Sequence, residues 1–221
     1  MQVVDITKKY KKKIVLNKVS FSIEEGSCVG ILGGNGSGKS TLLSILAGVL
    51  RADSGSVYFE KEDLFQKESL RNQLVGYVPQ GNPFMEELTA WDNLRLWYEK
   101  ETLKKELEQG VLATLGIQEF IKMPIHRMSG GMKKRVAIGC AMANKPKILL
   151  LDEPSSALDI VCKEQIYKYL QEFKAQGGRI LLVTHDIHEL NLCDKLYILK
   201  NGSLLPYDNS SNDSKSLANL L

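Results

Sequence analysis

Nine consecutive residues, Gly33 to Thr41, read Gly-Gly-Asn-Gly-Ser-Gly-Lys-Ser-Thr. Gly33, Gly38, Lys39 and Ser40 satisfy G-x-x-x-x-G-K-[ST], the spacing of a phosphate-binding loop. Glycines at 33, 34, 36 and 38, with Asn35 and Ser37 between them, let the main chain fold tightly, so that successive N–H groups converge on one anion. Lys39 is the fixed cation for β- and γ-phosphates, the Ser40 hydroxyl is a Mg²⁺ ligand, and Thr41 adds a hydroxyl near the α-phosphate. Such a match arises by chance at about 10⁻⁵ per position. On its own it could still be a glycine-rich turn that opens a core helix.

A second reactive group closes the apolar run Lys147 to Glu153. Asp152 is suited to hold Mg²⁺ through water and Glu153 to polarise an attacking water. Neighbouring residues of a strand point to opposite sides, which gives the two carboxylates different tasks.

Specific elements must position these groups. Val29 to Leu32 is long enough for one buried parallel strand, and Lys39 to Leu50 has helical periodicity, so the loop lies between strand and helix as its chemistry requires. Ser129-Gly130-Gly131 precedes a helical run, Met132 to Met142. It presents N–H groups and a helix N-terminus to an anion, or is simply a capped helix start with Ser129 as N-cap.

With Met-Ser-Gly-Gly-Met-Lys-Lys-Arg at 128–135, Ile-Leu-Leu-Leu-Asp-Glu-Pro at 148–154 and Thr-His-Asp at 184–186, the chain resembles the ATP-binding subunit of an ABC transporter from Val3 to about Leu205. Ser129, Gly130 and Gly131 are the discriminating residues, and in that family they cap the nucleotide of the opposite subunit. The resemblance implies that Tyr10 stacks on adenine and that Gln80 senses Mg²⁺ and the attacking water. It also implies that Ser156-Ala157-Leu158-Asp159 crosses to the partner and that His185 contacts the γ-phosphate. One residue departs from the pattern: Met132 stands where Gln is commonest, and Met cannot donate a hydrogen bond. Met-Lys-Lys-Arg at 132–135 is similar to the branch serving exporters of drugs, peptides and lipid-linked sugars. The implied cofactors are ATP and Mg²⁺. The implied partners are an integral membrane subunit and a second ATPase subunit, identical or homologous.

With 221 residues, 43% hydrophobic and 25% charged, the chain suits one α/β domain with a large core. Strand and helix patterns alternate from Cys28 onward, the mark of a mostly parallel sheet covered by helices, while Val3 to Glu25 predicts a small antiparallel layer. Strand signals vanish between Gly81 and about Ala143, where Thr89–Lys100, Leu103–Leu115 and Met132–Ala143 predict helices. The expected division is one ABC ATPase domain over 1–205. Residues 1–80 and 144–205 form its nucleotide-binding P-loop core, 81–143 an inserted helical subdomain, and 206–221 a polar tail.

The net charge of +3 is too mild to argue for nucleic acid. Lys8, Lys9, Lys11, Lys12 and Lys13 surround Tyr10, either as a solvated hairpin edge or as an attractor for nucleotide or an anionic membrane surface. Cys28, Cys140, Cys162 and Cys193 lack metal-ligand spacing and suit small buried hydrophobes in a reducing compartment. No apolar stretch approaches the ~20 residues of a membrane span and no signal-peptide pattern opens the chain. The expectation is therefore an ATPase bound peripherally at the cytoplasmic face of the cell membrane, powering a separate pore subunit, more in the manner of an exporter. The competing expectations are an importer ATPase with unchanged chemistry and an ATP-gated clamp or scaffold.

Overall fold

A computed structural model describes residues 1–207 apart from 82–83, 156–157 and 185–186. The described elements begin β1 (Gln2–Tyr10), β2 (Lys13–Ser22), β3 (Cys28–Leu32), α1 (Lys39–Leu46), β4 (Ser54–Phe59), β5 (Glu62–Asp63), α2 (Glu68–Leu74) and β6 (Val75–Val78). Helices α3 (Ala90–Leu94), α4 (Lys100–Gln109), α5 (Val111–Thr114) and α6 (Gly130–Ala141) come next, with 3₁₀ turns before α6. The chain then returns through β7 (Ile148–Asp152), α7 (Ile160–Ala175), β8 (Arg179–Val183), α8 (Ile187–Leu190), β9 (Lys195–Lys200) and β10 (Ser203–Tyr207).

Every residue of β3 and of β7 is buried, as expected of strands covered on both faces. They lie inside a six-stranded sheet of order β10-β9-β3-β8-β7-β6, parallel except for β10. A second, antiparallel sheet of order β2-β1-β4-β5 stands against it. Strand alternation sorts the core into two layers. Ile148 and Leu150 of β7 pack with Leu42, Leu43 and Ile45 of α1 and with Ile6 and Leu16 of the antiparallel sheet. Leu149 and Leu151 face the other way, into Leu94, Leu103, Leu112, Val136, Ile138, Ile166 and Leu170 of the helices. Each such side chain contributes about 1.5–3 kcal/mol relative to exposure.

The helical runs predicted over Lys39–Leu50, Thr89–Lys100 and Leu103–Leu115 come out shorter or broken, while α6 keeps its predicted length and starts earlier, at Gly130. Helix α1 stops at Leu46 because Gly48 enters the left-handed region (φ 80°). The run expected over Leu103–Leu115 breaks at Gly110 into α4 and α5, where the Glu106 carboxylate accepts the Val111 N–H at 2.9 Å. The run from Thr89 starts on a Thr89–Asp92 capping box but holds helical form only through Leu94. Its apolar stripe packs inward: Leu94 and Tyr98 are buried, Trp91 is half-buried, and the Tyr98 hydroxyl donates to Gly139 O at 2.7 Å.

Candidate nucleotide site

The phosphate loop forms between the end of β3 and the start of α1, at the C-terminal edge of the parallel sheet. Gly38 sits at φ 109°, where an added Cβ would lie 2.9 Å from both Cγ1 and the carbonyl oxygen of Val15, so the loop closes only with glycine here. Lys39 is buried and its Nζ donates to the carbonyls of Gly33 (2.7 Å) and Gly34 (3.1 Å), which fixes the cation against the loop it serves. Burial lowers the Lys39 pKa, while the nearby Glu153 and Asp152 carboxylates oppose that shift.

Strand alternation puts Asp152 on the Leu150 side of β7, the side of α1, and its carboxylate accepts a hydrogen bond from the Ser40 hydroxyl. Asp152 is 2% exposed, and burial raises its pKa despite that bond and the two nearby lysines, Lys39 and Lys134. Glu153 lies one residue further on at φ 49°, an uncommon conformation for a residue with a Cβ. Its backbone N–H donates to Val183 O at 2.9 Å, and its Oε2 accepts from Gln80 Nε2 at 2.9 Å. Tyr10, Asn35, Gly36, Ser37, Gly38, Lys39, Ser40, Thr41, Gln80 and Glu153 line one open cleft of about 540 Å³. An aromatic platform, an anion cradle, a cation and a buried carboxylate beside an amide thus converge in a volume suited to a nucleotide.

Ser129, Gly130 and Gly131 stand outside this cleft, at the N-terminus of α6. Ser129 is the N-cap, accepting the Met132 N–H at 3.2 Å. A methyl at Gly131 would meet Cys162 Sγ at 2.5 Å, so α6 and α7 touch here with no side chain from α6 between them. His185, Ser156 and Ala157 lie outside the described residues.

Two further groups were missed by motif reading. Lys134 is 5% exposed and its Nζ donates to Pro79 O at 3.1 Å, which ties the helix behind Ser129 to the residue before Gln80. Glu189 of α8 is buried and accepts the Ser155 N–H at 2.9 Å, bracing the turn that follows Glu153. Lys134 carried a weak signal, since it sits four residues before the apolar Ile138 on one helix face. Glu189 carried none.

A family model described as ABC transporter matches residues 16–156. The chain belongs to the ABC transporter family. Over 207 residues it is 33% identical to the Nod factor export ATP-binding protein I of Sinorhizobium fredii, a match covering 91% of this chain and 60% of that relative. This chain thus spans less than two thirds of that relative's length. It is 35% identical over 207 residues to a probable sulfate/thiosulfate import ATP-binding protein of Chlorella vulgaris, covering 91% and 87%. Among solved structures, a dimeric ATP-binding cassette in a post-hydrolysis state with ADP and phosphate superposes with a TM-score of 0.81 at 31% identity, covering 92% and 95%. The chain is an ATPase of this family built on the P-loop fold, and its nucleotide is ATP. ATP-binding subunits of the family work with membrane subunits and pair as dimers. Among the described residues no helix is long and apolar enough to cross a membrane.

Proposed function

We propose that this chain hydrolyses ATP to drive export of a substrate through a separate membrane subunit. The observation that carries the reading is the Gln80–Glu153 hydrogen bond of 2.9 Å inside the cleft lined by Tyr10 and the phosphate loop. Tyr10 stacks on adenine, and the N–H groups of residues 33–41 with Lys39 neutralise the phosphates. Glu153 takes the proton of the attacking water, Gln80 orients that water, and His185 contacts the γ-phosphate. Ser40 and Gln80 line the cleft and Asp152 is hydrogen-bonded to Ser40, so the three offer hard oxygens, a set that fits Mg²⁺. When bound, the ion supplies charge neutralisation at the β- and γ-oxygens.

Ser129, Gly130 and Gly131 do not line the chain's own cleft, which supports a role on the nucleotide of a second, head-to-tail subunit. In the same reading 1–80 with 144–205 form the nucleotide-binding core and 81–143 the helical subdomain. The exposed Met85 (55%), Leu88 (38%) and Trp97 (59%), which follow Gln80 in the sequence, would meet a cytosolic segment of the membrane subunit, holding the protein at the cytoplasmic face. Met132-Lys133-Lys134-Arg135 and the Nod factor relative support export. The sulfate relative favours import as the second reading.

Affinity capture from detergent-solubilised membranes tests the proposal. A stoichiometric multi-span protein is expected, and recovery of DNA or a single-span anchor instead would point to a clamp. Inside-out vesicles from the same cells separate the two directions, because export fills them on adding ATP.

A further inference from the structure

Two of the four cysteines are in contact far from the nucleotide cleft. Cys28 opens β3, Cys193 lies in the turn between α8 and β9, and their Sγ atoms are 3.6 Å apart in a thiol–thiol hydrogen bond. The backbones beneath them are already held together. The Asp194 N–H donates to Cys28 O at 2.8 Å, the Cys28 N–H donates to Asp194 Oδ2 at 2.8 Å, and Val29 pairs with Lys195 in the parallel β3–β9 ladder. Neighbouring strands run about 4.8 Å apart. A disulfide joins Cα atoms roughly 4.4–6.8 Å apart, a range that segments bonded side by side in this way can meet. The sulfurs need only close from 3.6 Å to about 2.05 Å, which side-chain rotation supplies. Gly30 keeps this space open, since a Cβ there would lie 2.8 Å from Cys193 Sγ.

We propose that Cys28 and Cys193 form a modification site, a dithiol that hydroperoxides oxidise to an intramolecular disulfide. Cys193 is half-buried and Cys28 is 1% exposed, so Cys193 meets the oxidant. Its thiolate attacks the O–O bond of the hydroperoxide, giving a sulfenic acid and releasing the alcohol, or water from hydrogen peroxide. The Cys28 sulfur then displaces the sulfenic hydroxyl as water and forms the S–S bond. Two thiols and one hydroperoxide thus yield one disulfide, one alcohol and one water. The hydrogen bond to Cys193, with burial, holds the Cys28 thiol well above its usual range, so Cys28 is not the thiol that attacks the hydroperoxide.

The test treats the full chain with hydrogen peroxide, alkylates remaining thiols under denaturing conditions and maps peptides without reduction. The expected product is a Cys28–Cys193 cross-linked peptide that dithiothreitol reverses, with Cys140 and Cys162 alkylated. Cys193→Ser, at the less buried position, should abolish the cross-link with the fold intact, and Cys28→Ser should abolish it as well. Oxidised wild type should melt about 5 °C or more above the reduced form, because the bond closes a long loop. Peroxide-treated protein in which both thiols alkylate fully overturns the proposal. So does Cys193 recovered as a sulfinic acid beside an alkylated Cys28.

Discussion

Replacing Glu153 with Gln isolates the chemical step. Glu153 is 8% exposed, and its Oε2 accepts one hydrogen bond from Gln80 at 2.9 Å. A glutamine carbonyl accepts the same bond, so the side chain keeps its place while losing its basicity. A positioned general base is worth about 10²–10⁴ in rate. Turnover should therefore fall by at least about a hundredfold, a barrier increase of roughly 3–5 kcal/mol at 1.36 kcal/mol per decade. Binding should hold or tighten, because the phosphate loop and Lys39 are untouched and one negative charge beside the phosphates is gone. Phosphate release at saturating Mg²⁺-ATP gives the rate, equilibrium titration gives the affinity, and light scattering with ATP should show a dimer absent without it. Turnover within about threefold of wild type would refute the assignment of the base. A species that stays monomeric with ATP at high concentration would count against the head-to-tail pair.

Lys39→Ala should abolish hydrolysis and weaken ATP binding, with circular dichroism unchanged, and a wild-type rate would sink the phosphate-loop assignment. Asp152→Asn should stabilise the nucleotide-free protein at pH 7 while removing Mg²⁺-dependent turnover. The folded Asp152 pKa lies above the ordinary 3.8, so its contribution to stability is present in acid and lost as pH rises through the folded value. The variant's advantage in urea titrations should accordingly vanish below about pH 3.8 and grow above it. Met85→Lys, at an exposed position, should leave basal ATPase intact and move the protein from the membrane to the soluble fraction on sedimentation; a folded variant that stays bound places the docking surface elsewhere. Phe84 is half-buried against the helical core, so Phe84→Asp should instead cost about 2–4 kcal/mol by chemical denaturation.

The parallel strands were legible because their residues have no polar face to disguise them. Cys28–Leu32 and Ile148–Asp152 are short apolar runs closed by glycine or acid, and both lie within the sheet. Helix ends were less legible: apolar spacing continues past Gly48 and Gly110, where backbone geometry stops the helix. The phosphate loop was readable as a local motif, since the residues that make it are contiguous. The Gln80–Glu153 bond joins residues 73 apart in sequence, and only the pairing of β6 with β7 brings them together. The acid-closed apolar run pointed to Glu153 and the resemblance to Gln80, yet no spacing rule could supply their contact. Lys134 was hidden for another reason: in sequence it is one of a run of three cations, and only the packing of α6 turns it inward.

The bare contact between Gly131 and Cys162 has a mechanical consequence. Helix α7 begins at the Asp159 N-cap, which binds the Cys162 N–H at 2.9 Å, so the place where α6 rests on α7 is also the first turn of α7. Leu158 packs over the same spot. The N-terminus of α6, with Ser129 as its cap, and the described residues Leu158 and Asp159 therefore meet at one closely packed contact. Positions 131 and 162 also form a single steric unit: the size permitted at one is set by the occupant of the other, and enlarging Gly131 can be tolerated only by shrinking Cys162.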